Sequence, residues 1–157
     1  MGRILKRLPQ VPWGRLTDAQ GPARDLPPLL STVAWGDEVS ASAALDELSD
    51  RVCALGFVVS EATPHVVPFL LELAGEPAVR VRADLVGLLA RIHAARQWES
   101  TASAASGTDA RRYREKVAWE TESRHHVESG RGTLQRLVDD PDPEVAEAAG
   151  ELLSALG

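Results

Sequence analysis

The chain has 157 residues and a formal net charge of −6, and this length suits one domain. Hydrophobic residues make up 44% of the chain, which excludes an intrinsically disordered protein, and the excess of acidic residues argues against broad binding to nucleic-acid phosphates. Only 4% of the residues are aromatic, so we predict a core of Ala, Leu and Val, which favours close helix packing over a β-sandwich.

The start of the chain and its single cysteine bear on localisation. Residues 1–9 are basic, but no apolar segment follows them, so we expect no signal peptide. No stretch approaches 18 uninterrupted apolar residues, which predicts that nothing spans a membrane. Cys53 cannot form an internal disulfide and lies in an apolar run, so we expect a small buried residue rather than a reactive thiol. We therefore expect a cytoplasmic protein.

Proline and glycine divide the N-terminal half of the chain into an irregular segment and three predicted helices. Residues 1–21 are expected to form an irregular N-terminal cap. The predicted helices cover residues 25–33, 38–55 and 62–75. The second ends at Gly56 and the third at Gly75, because glycine commonly follows the last residue of a helix. The pairs Val58-Val59 and Val66-Val67 are too short to predict strands.

Three more helices are predicted in the C-terminal half. They cover residues 77–96, 110–129 and 143–156. Gly130 and Gly132 break the second of these before a short helical continuation through Leu134 and Val138. Residues 97–110 are rich in Ser, Thr and Ala, and we expect a flexible inserted loop there.

A pattern of one valine and one alanine recurs three times along the chain. The pairs are Val39 with Ala43, Val79 with Ala83, and Val145 with Ala149. Residues four apart lie on one face of a helix, so each pair is predicted to face a neighbouring helix while the following Leu residues fill the core. The first two copies are 40 residues apart, which is the spacing of stacked helix pairs. The next interval is 66 residues, one period plus 26, and the inserted loop accommodates the excess.

Two of these copies resemble the second helices of HEAT repeats, which read Asp-x-x-Val-Arg-x-x-Ala. Residues 77–83 read Pro-Ala-Val-Arg-Val-Arg-Ala, and Arg80 occupies the frequent arginine position. Residues 140–149 read Asp-Pro-Asp-Pro-Glu-Val-Ala-Glu-Ala-Ala, with Ala146 in place of the arginine. The first copy has Ser40 there.

A closer resemblance is to small bacterial HEAT-like proteins. These begin with a Trp-led segment and a Gly-x-Ala-x-Asp-x-Pro-x-Leu-Leu stretch, and continue into an Ala-Thr…Val-Pro-Phe-Leu helix. The matching residues are Trp13, Gly21, Ala23, Asp25, Pro27, Leu29, Leu30, Ala62, Thr63, Val67, Pro68, Phe69 and Leu70. The resemblance implies an all-α fold, with residues 1–157 forming one short α-α superhelix of about three helix pairs and one inserted loop. For function it implies little beyond binding, because one fold hosts many activities.

Candidate chemistry is sparse in this sequence. Glu122 and His126 are four residues apart on a predicted helix and could share a metal. The adjacent His125, however, points about 100° away from His126, because a helix has 3.6 residues per turn. The simpler interpretation is a solvent-exposed helix face. The acidic run 139–142 is interpreted as a helix N-terminus, where carboxylates offset the helix dipole. No nucleophile motif, phosphate loop or cysteine pair occurs. We therefore expect no metal and no cofactor, and a binding protein rather than an enzyme.

The predicted second helices suggest where a partner binds. In stacked helix pairs the second helices line one face, which we call the second-helix face. The charged residues of helices 38–55 and 143–156 are mostly acidic, whereas helix 77–96 carries several arginines. The sequence therefore predicts a stripe of arginines between two acidic stripes. The alternative is that neighbouring helices form salt bridges across the face, each worth little. The predicted partner-binding residues are Arg80, Arg82, Arg91, Asp46, Glu47, Glu147 and Glu151, together with Trp98 and Trp119, the tryptophans placed among polar residues.

Three hypotheses for function follow. The first is a protein-binding adaptor, inhibitor or immunity-type module that grips a protein or peptide partner on the second-helix face. The second is a nucleic-acid-binding protein, since some bacterial HEAT-like proteins are DNA glycosylases, although this chain is short and acidic for that role. The third is an enzyme or accessory factor with a small-molecule pocket between helices. The sequence favours the first.

Overall fold

The computed structural model describes residues 4–105 and 111–157, and these residues are mostly α-helical, which confirms the all-α prediction. The helices are α1 (Leu26–Trp35), α2 (Glu38–Val52), α3 (Thr63–Ala74), α4 (Arg82–Ala94), α5 (Gln97–Ala104), α6 (Arg114–Ser129), α7 (Arg131–Leu137) and α8 (Pro143–Leu156). Two short antiparallel strand pairs accompany them. They are β1 (Thr17–Asp18) with β2 (Gly21–Pro22), and β3 (Cys53–Ala54) with β4 (Val58–Val59).

The N-terminal segment covers one side of the core in single turns of 3-10 helix rather than in an α-helix. Trp13 fixes this segment, because its buried ring lies 6.1 Å from that of Phe69 on α3. Its indole Nε1–H donates to the carbonyl of Leu8 at 2.8 Å. The segment is therefore held by an aromatic anchor with its one polar atom satisfied.

Helix α2 begins at a side-chain cap and ends three residues before the predicted position. The Asp37 carboxylate accepts the Ser40 backbone N–H at 2.8 Å, which satisfies a free amide of the first turn. After Val52 the chain forms the β3–β4 hairpin, so the expectation that residues 58–59 are not a strand was wrong. Leu55 (φ 59°) and Gly56 (φ 87°), in the three-residue connection between the strands, both occupy the left-handed region.

Two further boundaries differ from the prediction. Helix α4 begins at Arg82 instead of residue 77. Residues 97–104 form helix α5, so the prediction of a flexible loop over residues 97–110 was wrong for that part, and residues 106–110 lie outside the described ranges. Helix α5 forms because a residue distant in sequence caps its first turn. The buried carboxylate of Glu120 on α6 accepts the backbone N–H groups of Trp98 at 2.7 Å and of Glu99 at 3.0 Å.

The starts of α2, α4 and α8 lie near one another. Helix α4 packs against α8, and α3 packs against both α4 and α6. Arg80, just before α4, lies near Asp37 at the start of α2, while Arg91 near the end of α4 lies beside Gly56, four residues beyond the end of α2. Arg82 at the start of α4 contacts Asp140 just before α8.

The predicted valine–alanine pair on one helix face is found in the third copy only, because Val79 lies before the start of α4 and the first copy is exposed. Val79, Val145 and Ala149 are buried, and Ala83 is half-buried. Val39, by contrast, is 80% exposed, and Ala43 is also exposed. The buried residues of α2 are Ala41, Ala44, Leu45, Leu48 and Val52. Helix α2 carries alanine on several faces, and the sequence match chose the face of Ala43, which is exposed, instead of the buried face of Ala41 and Ala44.

The buried residues of the described chain form one continuous hydrophobic cluster that extends from Leu5 to Leu152. Its large members are mostly Leu, with Ile92, Phe69 and Trp13. Cys53 belongs to this cluster and is 2% exposed, so the prediction of a buried thiol is confirmed. Burial raises the pKa of the Cys53 thiol to about 11, with the positive charge of Arg91 acting weakly in the opposite direction. The thiol is therefore neutral at physiological pH.

Candidate functional site

The predicted arginines of the second-helix face differ in their exposure and in their contacts. Arg82 donates from Nη1 to Asp140 Oδ2 at 2.6 Å and from Nη2 to Asp140 Oδ1 at 3.2 Å. Both side chains are largely buried, at 11% and 12% exposed. The hydrogen bond from Arg82 is the main reason that the pKa of Asp140 lies below its usual value. Arg82 thus joins α4 to the start of α8, as the salt-bridge alternative anticipates.

Arg80 and Arg91 are both exposed on this face. The pKa of Asp37 is lowered, chiefly by its hydrogen bonds from Ser40 and in smaller part by the positive charge of Arg80. Arg91 lies against the β3–β4 turn, since a Cβ placed on Gly56 would be 3.9 Å from its Cδ. These two arginines mark the two ends of the predicted stripe.

Apolar side chains project from the β3–β4 hairpin beside Arg91. Leu55 is 83% exposed and Phe57 is 46% exposed. Leu55 also holds a left-handed backbone conformation, which is costly for a leucine and is usually occupied by Asn, Asp or Gly in such turns. Leu55 and Phe57 give this hairpin an exposed apolar tip, and strained backbone positions of this kind cluster at functional sites.

The four predicted acidic residues of the face are all exposed: Asp46, Glu47, Glu147 and Glu151. Glu47 lies 3.6 Å from Arg51 on the same helix. Arg51 also contacts Asp18 at 3.3 Å and Asp25 at 3.5 Å, which ties α2 to the N-terminal segment. The predicted acidic residues of α2 and α8 are thus exposed, and Glu47 is paired with Arg51 on its own helix.

The structure brings the two predicted tryptophans, Trp98 and Trp119, together in a groove that is not part of the second-helix face. Both are half-buried. The indole Nε1–H of Trp98 donates to the carbonyl of Val59 at 2.9 Å, and its ring stacks on Tyr113 at 6.2 Å between centroids. The ammonium of Lys116 lies 4.3 Å from the centre of the Trp98 ring and 5.9 Å from that of Trp119.

This groove consists of three joined depressions between α6 on one side and α3, the β4 end and the N-terminal segment on the other. The first, about 330 Å³, lies at Trp98 and Lys116. The middle one, about 280 Å³, shares Glu61 and Trp119 with the first. The third, about 330 Å³, shares His65 and Glu122 with the middle one. We call this continuous surface the acidic aromatic groove.

Sequence reasoning missed this groove because four separate segments of the chain build it. One signal was present on α6. Glu115, Trp119, Glu122 and His126 are spaced by four, three and four residues, which places them on one face of a helix. A stripe of alternating carboxylate and ring residues is not a core pattern, and the stripe marks one wall of the groove.

The histidines do not form a metal site. In the part of the chain that the structure describes, no three His, Cys, Asp or Glu side chains are placed to hold a metal ion. The rings of His125 and His126 are 6.1 Å apart between centroids and tilted by 57°. Burial is the main cause that lowers the pKa of His126, followed by the neighbouring charge of His125.

Comparison with protein-family models, with curated proteins and with solved structures finds no match to this chain. The resemblance to HEAT-like proteins therefore stays a prediction. Among the described residues, no helix is both long enough and apolar enough to cross a lipid bilayer.

Proposed function

We propose that this chain is a HEAT-type protein-binding module that holds a protein partner across α2, α4 and α8. The observation that carries the proposal is an exposed cation, Arg91, against the Gly56 turn whose neighbouring residue Leu55 is an exposed apolar side chain on a strained backbone. Apolar anchors surrounded by charged residues are typical of protein interfaces. The acidic rows on either side would select a partner with a complementary charge pattern and speed its association.

The internal contacts of the face support a rigid binding surface. The Arg82–Asp140 pair fixes the start of α4 against the start of α8, and Arg51 fixes the end of α2 against the N-terminal segment. A surface that is ordered before binding loses less conformational freedom when the partner docks.

A photo-crosslinking experiment tests the proposal. A photoreactive phenylalanine analogue replaces Leu55 in the chain expressed in its own cells, and a matched chain carries the analogue at the exposed Gln135 of α7. We expect a discrete crosslinked protein from position 55 and none from position 135. Arg91→Glu should reduce the yield from position 55, whereas Arg15→Glu, an exposed arginine outside this face, should not.

Two results would contradict the proposal. Equal crosslinking from both positions would show that the hairpin tip is not a specific contact. Crosslinks from position 55 that disappear with nuclease, together with duplex-DNA binding that weakens steeply with salt, would favour the nucleic-acid hypothesis instead.

A further inference from the structure

One end of the acidic aromatic groove already holds a cation of the chain itself, the ammonium of Lys116. The Lys116 ammonium rests 4.3 Å over the Trp98 ring, which is a cation–π contact because the face of an indole carries partial negative charge. The second indole, Trp119, lies 5.9 Å from the same ammonium and also lines the middle depression. One cation of the chain is thus held at one end of the groove.

The middle depression presents negative charge around Trp119. Glu61, Glu115 and Glu122 line it, and His65 is the one other titratable residue in its wall. On α6, Glu115 lies four residues before Trp119 and Glu122 three residues after it, so both carboxylates are neighbours of the indole on one helix face. The described residues give these two glutamates no ion pair within 4.0 Å. An indole between two available carboxylates suits a planar cation.

We propose that the acidic aromatic groove binds an extended, arginine-containing peptide segment of a partner protein, with one guanidinium on Trp119 between Glu115 and Glu122. Arginine fits better than lysine because its flat guanidinium stacks on an indole while it donates two parallel hydrogen bonds to a carboxylate. A peptide fits better than a free cation because the three depressions are joined, and a single cation would occupy only the middle one. This site is separate from the second-helix face, and neither proposal depends on the other.

The geometry also assigns a role to Lys116. Its ammonium repels a second cation bound at Trp119 and competes for the same indole faces. Removal of this charge should therefore tighten the binding of an arginine peptide. An anionic ligand would behave in the opposite way, because it would lose its one lysine contact in the groove.

The test uses the full chain and three peptides, acetyl-Ala-Ala-Xaa-Ala-Ala-amide, in which Xaa is arginine, lysine or citrulline. Citrulline keeps the shape of arginine without its charge. The readout is the set of indole N–H resonances in a two-dimensional ¹⁵N NMR spectrum. We expect the arginine peptide to shift the Trp119 resonance and, to a smaller extent, that of Trp98, while those of the buried Trp13 and the distant Trp35 stay in place.

Variants make the site assignment falsifiable. Glu122→Gln should weaken binding of the arginine peptide about two- to fivefold, the size of one exposed charge contact, and Glu151→Gln on α8 should leave it unchanged. Lys116→Met should tighten binding by about the same factor. Circular dichroism of each variant checks that the fold is retained. Equal shifts from arginine and citrulline, no shift of Trp119 at millimolar peptide, or weaker binding by Lys116→Met would each overturn the proposal.

Discussion

At the residue scale, the structure depends on a few polar groups that are satisfied inside the core. Glu120 is the one that most needs hydrogen-bond partners, because it is a carboxylate with no exposed surface. Its two hydrogen bonds from backbone N–H groups place negative charge at the N-terminal end of α5, where the helix dipole and the free amides stabilise it. These hydrogen bonds cap the polar segment 97–104 as a helix, and together with the bond from the Trp98 indole to Val59 they hold Trp98 in the groove.

Replacement of Glu120 by glutamine should therefore destabilise the protein. The amide retains one acceptor but turns an N–H group towards the backbone donors, so we expect a loss of about 1–3 kcal/mol in the free energy of unfolding measured with urea. Hydrogen exchange at the backbone amides of Trp98 and Glu99 should become faster. The exposed Glu115→Gln should change stability by less than about 0.5 kcal/mol. Equal stability of the two variants would contradict the assigned role.

At the element scale, close contacts decide how the helices meet. The junction between α6 and α7 is the tightest, because a Cβ on Gly130 would lie 2.5 Å and 2.6 Å from the two terminal methyl groups of Leu71 on α3. A glycine there lets the end of α6 approach α3 closely. Gly132, two residues later, faces open space. The sequence suggests the same role for both glycines, a break between helices, but only Gly130 is required by packing.

Alanine substitutions at Gly130 and Gly132 test whether packing requires a glycine at each position. Gly130→Ala should destabilise the protein by about 1–3 kcal/mol, because Leu71 must move within a packed core. Gly132→Ala should be neutral or stabilising by up to about 1 kcal/mol, because alanine favours a helix. Thermal unfolding followed by circular dichroism gives both values. A larger loss from Gly132→Ala than from Gly130→Ala would show that the two helices do not meet α3 in this way.

At the scale of the whole molecule, two charged contacts join parts of the chain that lie far apart in sequence. Arg82 and Asp140 are 58 residues apart and hold α4 to the start of α8. Arg51 and Asp18 are 33 residues apart and hold α2 to the N-terminal segment. The hydrophobic cluster runs continuously between these points, so we expect the chain to unfold as a unit.

The Arg82–Asp140 pair predicts a dependence of stability on acid. The pKa of Asp140 in the folded protein is lowered from 3.8, mainly by the hydrogen bond from Arg82, so the folded state favours the carboxylate. This contribution is complete at pH values above 3.8 and is lost as the pH falls through the lowered folded pKa. Arg82→Met should therefore be less stable than the unmodified chain at pH 6 in urea unfolding, and the difference should shrink towards pH 3. A difference that is constant from pH 6 to pH 3 would contradict this account, and the exposed Arg136→Met serves as the control.

Local sequence patterns determined the elements of this protein well. Proline, glycine and capping residues act over a few positions, so α1, α3 and α8 lie within two residues of their predicted bounds. The aliphatic content and the rarity of aromatic residues determined the all-α class, and the apolar run around Cys53 determined its burial.

Only the tertiary structure decided the contacts between distant segments. Glu120 makes a helix of residues 97–104, Asp140 engages Arg82, and four separate segments enclose Trp98 and Trp119. Each of these depends on which groups meet in space, and their separations of 22 to 58 residues leave no local pattern in the sequence. The face that α2 buries was decided in the same way, because its alanines suit several faces equally and only the neighbouring helices select one.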